Sequence, residues 1–171
     1  KKADEEIVLL TQIQLNGALP RLSEPGVYPY AHVLAELIDA LTVDVHIGEQ
    51  LYEYFASGLR GLSQHADPEH ITIIYAWKLL QQAGLSPRLN KCVTCGNSNL
   101  SFKLDIAAGG LTCQTCNTGM VLSETVVNDL VTIHTQTTRQ ALAQPLQDKP
   151  LHWALLNRYL TYHVRELHSL Q

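Results

Sequence analysis

The stretch Asp67-Pro68-Glu69-His70-Ile71-Thr72-Ile73-Ile74-Tyr75-Ala76-Trp77-Lys78-Leu79-Leu80-Gln81-Gln82-Ala83-Gly84 is apolar in nearly every helical direction. A surface helix shows one apolar stripe, whereas Ile71, Ile73, Ile74, Tyr75, Ala76, Trp77, Leu79 and Leu80 point all round, as in a helix packed at the centre of a domain. Its ends are punctuated. Asp67 supplies an N-cap, Pro68 suits the first helical position, and Gly84 marks the stop. Only Lys78 interrupts the run. It shares an apolar stripe with Ile71 and Ile74, so its ammonium must snorkel to water, find an anion or line a pocket.

A central helix needs a coat, and the flanking sequence provides one. Tyr30, Val33, Leu34, Leu37, Ile38 and Leu41 recur at helical spacing with Glu36 and Asp39 opposite, which predicts one amphipathic helix. Leu51, Tyr54, Phe55, Gly58, Leu59 and Leu62 repeat that spacing for a second, ending near Gly61. Downstream, Ser123-Glu124 caps a segment carrying Val127, Leu130, Val131, His134, Thr138, Ala141 and Leu142. Asp148 or Lys149 with Pro150 opens a last helix, striped by Leu151, Leu155, Leu156, Tyr159, Leu160, His163, Val164 and Leu167. The expected fold class is therefore mainly α, a domain of about five helices.

Two segments break the pattern. Residues 85–120 form an irregular insert with two short strands expected at Phe102–Ile106 and Leu111–Cys113. At the other end, Ile7, Leu9, Ile13 and Leu15 alternate with mostly polar neighbours, which reads as a strand. A lone strand cannot satisfy its own backbone, so its partners are expected upstream of Lys1, and the chain is expected to be the C-terminal part of a longer protein. The boundaries that follow are a terminal strand and linker over 1–22, a helical domain over 23–171, and an insert over 88–120.

Composition bounds the function. Apolar residues make up 46% of the 171 and charged residues 16%, enough for a core and no case for disorder. No apolar stretch approaches the roughly 20 residues of a membrane span, and no basic-then-apolar leader opens the chain, so a cytoplasmic protein without membrane association is expected. The net charge of −4 argues against coating nucleic acid by bulk charge. That average hides a split: Glu24 to Glu53 carries acids and no Lys or Arg, whereas Arg60 to Lys103 is base-rich. Both runs suit solvated faces, and one face is open to being basic.

The sharpest signal is Cys92-Val93-Thr94-Cys95 followed, after seventeen residues, by Cys113-Gln114-Thr115-Cys116. Each Cys-x-x-Cys knuckle presents two sulfurs on one side, and four thiolates complete a tetrahedral Zn²⁺ shell. Gly96 and Asn117 follow the knuckles, residue types that accept the left-handed turn such a loop demands. One structural Zn²⁺ held by Cys92, Cys95, Cys113 and Cys116 is expected. A disulfide framework would need an oxidising compartment, and a redox pair would want one Cys-x-x-Cys opening a helix in a βαβ unit. A catalytic zinc would need an open position that four thiolates deny.

No enzyme motif appears. The histidines form no H-E-x-x-H: His46 with Glu49 and His65 with Glu69 straddle helix boundaries, and His32, His134 and His163 read as packing residues. Gly109-Gly110 stands alone, without a phosphate loop, and no G-x-S-x-G elbow exists. A binding protein, not an enzyme, is expected.

A family resemblance rests on four pieces of sequence. The strand leading into Asn16-Gly17-Ala18-Leu19-Pro20, the helix Ala31-His32-Val33-Leu34-Ala35-Glu36-Leu37-Ile38-Asp39-Ala40-Leu41, and Lys78-Leu79-Leu80-Gln81-Gln82-Ala83-Gly84-Leu85-Ser86-Pro87 together resemble RecO. The fourth piece, the cysteine quartet with Gly109-Gly110-Leu111-Thr112 before its second pair, sits where zinc-binding members of that family carry theirs. The likeness spans roughly residues 7–168.

The resemblance implies an N-terminal OB-fold, of which Ile7 to Leu15 would be the last strand, followed by a helical domain with a zinc insert. It further implies a bacterial DNA repair and recombination mediator that binds single- and double-stranded DNA and anneals complementary strands. Its implied partners are RecR, in some systems RecF, and the C-terminal tail of single-strand DNA-binding protein, and its implied task is helping RecA load onto coated DNA. Such a protein is cytoplasmic and nucleoid-associated when acting. An acidic tail with an apolar tip wants a hydrophobic groove rimmed by bases, expected at Lys78 with Arg60 or Arg88, beside Ile74 and Leu79. Arg88, Lys91 and Lys103 around the insert are expected to touch phosphates instead. A zinc-ribbon interaction scaffold without nucleic-acid function is the alternative that the residues leave open.

Overall fold

The computed structural model describes residues 19–42 and 49–170; the strand expected at Ile7 to Leu15, and His46, lie outside them. The described residues form six α-helices and one small sheet: α1 Tyr28–Thr42, α2 Glu49–Gln64, α3 Pro68–Gln82, β1 Leu100–Asp105, β2 Gly110–Cys113, β3 Met120–Val121, α4 Glu124–Thr135, α5 Thr138–Leu142 and α6 Lys149–His163. Short 3-10 turns sit at Pro20–Ser23 and His168–Leu170. The class is mainly α, as the periodicity requires.

Helix α3 is the axle. All of His70 to Leu80 is buried, and Trp77, Ile73, Ile74, Leu79 and Leu80 have no exposed surface. At its start the Asp67 side chain accepts from the His70 N–H at 3.0 Å. At its end Leu85 N–H donates to the Leu80 carbonyl at 2.8 Å, closing the turn that Gly84 makes with φ +74. Helices α1, α2, α4, α5 and α6 all pack on it.

The closest of these contacts is made by α2. A Cβ at Gly58 would stand 3.0 Å from Leu34 Cδ1 and 3.2 Å from Tyr75 Cδ1, and one at Gly61 would stand 3.3 Å from Ile71 Cγ2. Missing side chains thus let the α2 backbone lie on the Tyr75 ring, whose hydroxyl reaches Ser57 Oγ at 2.9 Å.

Two elements differ from the sequence reading. The stripe from Val127 to Leu142 is two helices, because Gln136 is extended (φ −100, ψ 165) and Thr137 starts α5 with a capping box. Thr137 Oγ1 accepts from Gln140 N–H at 3.3 Å, and Gln140 Oε1 accepts from Thr137 N–H at 3.1 Å. The insert gains β3, which completes an antiparallel sheet in the order β2-β1-β3 with Leu104 opposite Leu111 and Lys103 opposite Val121.

That sheet is anchored on the helical body. Leu104 and Leu111 join the common core, and the His163 ring nitrogen Nε2 meets the Ile106 carbonyl at 2.6 Å. Tyr159, its ring centre 4.3 Å from that of His163 and 5.6 Å from that of Trp77 in tilted contacts, joins insert to axle. No helix among the described residues is long and apolar enough to cross a membrane.

Candidate metal centre

Two backbone turns prepare the cysteines. In the first knuckle Gly96 N–H donates to the Cys92 carbonyl at 2.9 Å, with Gly96 at φ +77. In the second, Asn117 N–H donates to the Cys113 carbonyl at 2.8 Å, with Asn117 at φ +49. The left-handed residues lie one position past each second cysteine, where the sequence asks for them. Val93 N–H donates to the Leu111 carbonyl at 3.0 Å, which lays the first knuckle alongside β2 and brings the pairs together.

All four sulfurs lie within 4.8 Å of one another, and all four cysteines are free thiols. Cys95 Sγ is 3.6 Å from Cys113 Sγ, and Cys116 N–H donates to Cys113 Sγ at 3.4 Å. Cys92 and Cys113 are buried, Cys116 half-buried and Cys95 exposed. Burial alone would push the Cys92 thiol up, but backbone N–H groups of Cys95, Cys113 and Thr94 outweigh it and draw it down to about 6. Cys116 is pushed up to about 12, chiefly by the neighbouring Cys95 and Cys113 sulfurs. The donor set fits a metal. Four converging sulfurs with N–H groups aimed at them can hold one ion, and no histidine or carboxylate joins the cluster among the described residues.

Of the three histidines expected to be packing residues, His134 Nδ1 meets the Leu130 carbonyl at 2.7 Å and His163 meets Ile106 as above, whereas His32 is exposed on α1. Burial holds His134 below its ordinary value. His152, which the sequence reading passed over, is buried against Asp129 at 3.1 Å and is also held down, mainly by burial. The pair has no local sequence signal, since Asp129 is on α4 and His152 on α6.

The groove expected around Lys78 requires correction. Ile74 and Leu79 are wholly buried and offer no surface, because α3 is enclosed on every side. Lys78, itself 4% exposed, donates from Nζ to the Gln136 carbonyl at 2.8 Å and to Gln81 Oε1 at 3.4 Å. Gln81 Nε2 in turn donates to the His134 carbonyl at 3.0 Å. The two α3 side chains close the carbonyl end of α4, where a cation also suits the helix dipole. Burial pushes the Lys78 amine below its ordinary range. Arg60 is exposed on α2, 3.8 Å from Glu53, and lines a cavity with Tyr54, Ser57, Tyr75 and Thr138 in which Lys78 takes no part. Arg88 and Lys91 are exposed on the insert and Lys103 is half-buried on β1, so these three share the part of the chain that carries the cysteine cluster.

A second polar cluster was not foreseen. Lys149 Nζ pairs with Asp67 at 2.6 Å and Glu69 at 3.4 Å, and Trp153 Nε1 donates to Glu69 at 2.8 Å, fastening the start of α6 to the start of α3.

Comparison with known proteins adds the following. The family described as Recombination protein O C terminal matches residues 23–171. The DNA repair protein RecO of Bacillus subtilis (strain 168) is 34% identical over 87 residues, which are 51% of this chain and 34% of that protein. RecO of Listeria monocytogenes serotype 4a is 33% identical over 87 residues, with the same shares. RecO of Exiguobacterium sibiricum is 33% identical over 85 residues, 50% of this chain and 34% of its own length. The matched stretch spans about a third of these relatives.

Proposed function

This chain belongs to the RecO family, and from that premise we propose that it is the helical, zinc-binding part of a bacterial DNA repair and recombination mediator. The observation that carries the reading is the family match across residues 23–171. The proposed protein binds single- and double-stranded DNA and anneals complementary strands. Together with RecR, and in some systems RecF, it helps RecA displace single-strand DNA-binding protein, whose C-terminal tail it engages. The proposed site of action is the cytoplasm, at the nucleoid, and the work is recognition without bond breaking. The names of the relatives, all DNA repair proteins, support it.

The proposed metal is one Zn²⁺ on Cys92, Cys95, Cys113 and Cys116. When bound, it supplies neutralisation of four thiolates and a crosslink between the two knuckles, and four thiolates leave no position for substrate. Cys92 and Cys95 fix the loop, Cys113 and Cys116 fix the end of β2, and Arg88, Lys91 and Lys103 are the proposed phosphate contacts on the same insert. The proposed division at residue 22 puts an OB-fold strand ahead of the helical domain.

The test uses the natural full-length protein. Annealing of complementary oligonucleotides coated with single-strand DNA-binding protein should be faster with the protein than without it, and an unchanged rate refutes the mediator reading. Elemental analysis should find one zinc per chain, and none after all four cysteines are replaced by serine.

A further inference from the structure

A cleft between α2, α3 and α5 takes no part in the metal centre. Two cavities of about 310 and 520 Å3 meet there, sharing Ser57, Tyr75 and Thr138 in their walls. Arg60 lines the first and Arg139 the second.

The floor donates. Ser57 and Tyr75 hydroxyls are 2.9 Å apart, and whichever donates to the other, one O–H proton is left for a ligand. The Tyr75 ring is clamped over Gly58 and Gly61, so this pair is fixed before anything binds. The rim carries two arginines and one carboxylate, Glu53. Arg60 is exposed and has only a long, exposed pair with Glu53, while Arg139 is exposed and has no ion pair among the described residues. Arg21, which donates to the His65 carbonyl at 2.9 Å, is paired with Glu24 at 3.3 Å and lines neither cavity.

Position separates two kinds of anion. Residues 53–64 of α2 run for about 16.5 Å at 1.5 Å per residue. Arg60 on α2 and Arg139 on α5 line different cavities of the cleft, a spread that suits a polymer charged at every unit. A carboxylate-tipped tail would concentrate its charge at one end. Tyr54, half-buried at the Arg60 end, supplies an aromatic face of the kind on which bases stack.

We propose that this cleft holds single-stranded nucleic acid, with backbone phosphates on Arg60 and Arg139, hydroxyl donation from its floor, and a base against Tyr54. The proposal rests on the repair reading and gives it a site outside both the insert and the OB-fold.

The test is anisotropy of a fluorescein-labelled oligothymidylate titrated with this chain across a salt series. Single strands contribute a slope of about 0.7 per phosphate contact, so Arg60→Gln with Arg139→Gln should flatten log K against log salt by about 1.4. Arg60→Lys with Arg139→Lys should keep most of the slope, and Tyr54→Leu, which preserves apolar packing, should weaken binding roughly fivefold or more. Arg158→Gln, on the exposed face of α6, should change nothing. If the chain binds but the glutamine pair keeps the full slope, or Arg158→Gln loses as much, the cleft assignment falls while DNA binding by the family stands. Failure of the chain to bind at low salt also overturns the cleft, and the annealing assay on the full-length protein then judges the repair reading separately. Loss of a polyglutamate peptide without loss of the oligonucleotide overturns it in favour of a peptide site.

Discussion

Replacing Lys78 separates the contribution of its ammonium from that of its stem. The side chain is 4% exposed and its Nζ makes a 2.8 Å bond to the Gln136 carbonyl, so Lys78→Ala removes a charge-assisted hydrogen bond, strands that carbonyl and empties the space of the stem. A hydrogen bond to a charged group contributes about 1.5–3 kcal/mol, and the lost packing adds to that, so about 3 kcal/mol is expected. Lys78→Met keeps the stem and also lifts the cost of burying an ammonium, which leaves a net loss of about 1 kcal/mol. In a chain of this size these become melting shifts of about 6–12 °C and about 2–4 °C. Lys78→Glu would aim a carboxylate at the Gln136 carbonyl and should be the worst of the three. Burial also sets a pH dependence. The Lys78 amine is held below 10.5 when folded, so near that pH the unfolded chain binds the proton more tightly, and wild type should gain stability over Lys78→Met as pH rises toward 10.5. Urea unfolding followed by tryptophan fluorescence measures all of these. If Lys78→Ala unfolds at the wild-type midpoint, as an exposed lysine such as Lys91→Ala should, the ammonium is in water and the account of α4's end is wrong.

Three further perturbations have expected outcomes. Gly58→Ala gains helix propensity of about 1 kcal/mol but forces Leu34 and Tyr75 apart at contacts of 3.0 and 3.2 Å, so urea unfolding should show a net loss of about 1 kcal/mol. His134 and His152 are both held below 6.5, chiefly by burial, so the unfolded chain takes up protons first as pH falls through 6.5. Stability should then drop by up to about 1.4 kcal/mol per pH unit for each, with a shallower slope in His152→Gln measured by denaturant midpoints between pH 7.5 and 5. Stripping metal with a chelator should speed amide exchange at residues 92–99 and 113–118 while α3 amides keep their protection, as read by hydrogen-exchange mass spectrometry.

What the sequence made legible was what local chemistry decides. The apolar circumference of residues 71–80, the Asp67 cap and the two Cys-x-x-Cys turns depend on neighbours a few residues away, and each has its expected place. The break at Gln136 was also written locally, as Thr137-x-x-Gln140, but an apolar stripe running through it from Val127 to Leu142 hid it. The destination of Lys78 could not be read, because its acceptor is the end of a helix 58 residues away. The same holds for Lys149 with Asp67 and for Ser57 with Tyr75: both are polar pairs that exist only once helices have docked.

The insert's two halves are held by different forces. Leu104 and Leu111 are at most 1% exposed and belong to the helical core, and burying two leucines contributes about 1.5–3 kcal/mol each. The Ile106 carbonyl, in the turn between β1 and β2, is tied to His163, so that turn is fastened to α6 without help from the cysteines. The far half has no such anchor. Residues 94–99 are all exposed, and their order comes from turn hydrogen bonds and from whatever joins the sulfurs. A metal on the four cysteines therefore shapes the tip and not the body, placing Lys91 and the first knuckle relative to Arg88. A chelated chain should keep its helices and its cleft yet lose the fixed spacing of those bases, so oligonucleotide binding through Arg60 and Arg139 should survive chelation while any share carried by the insert is lost.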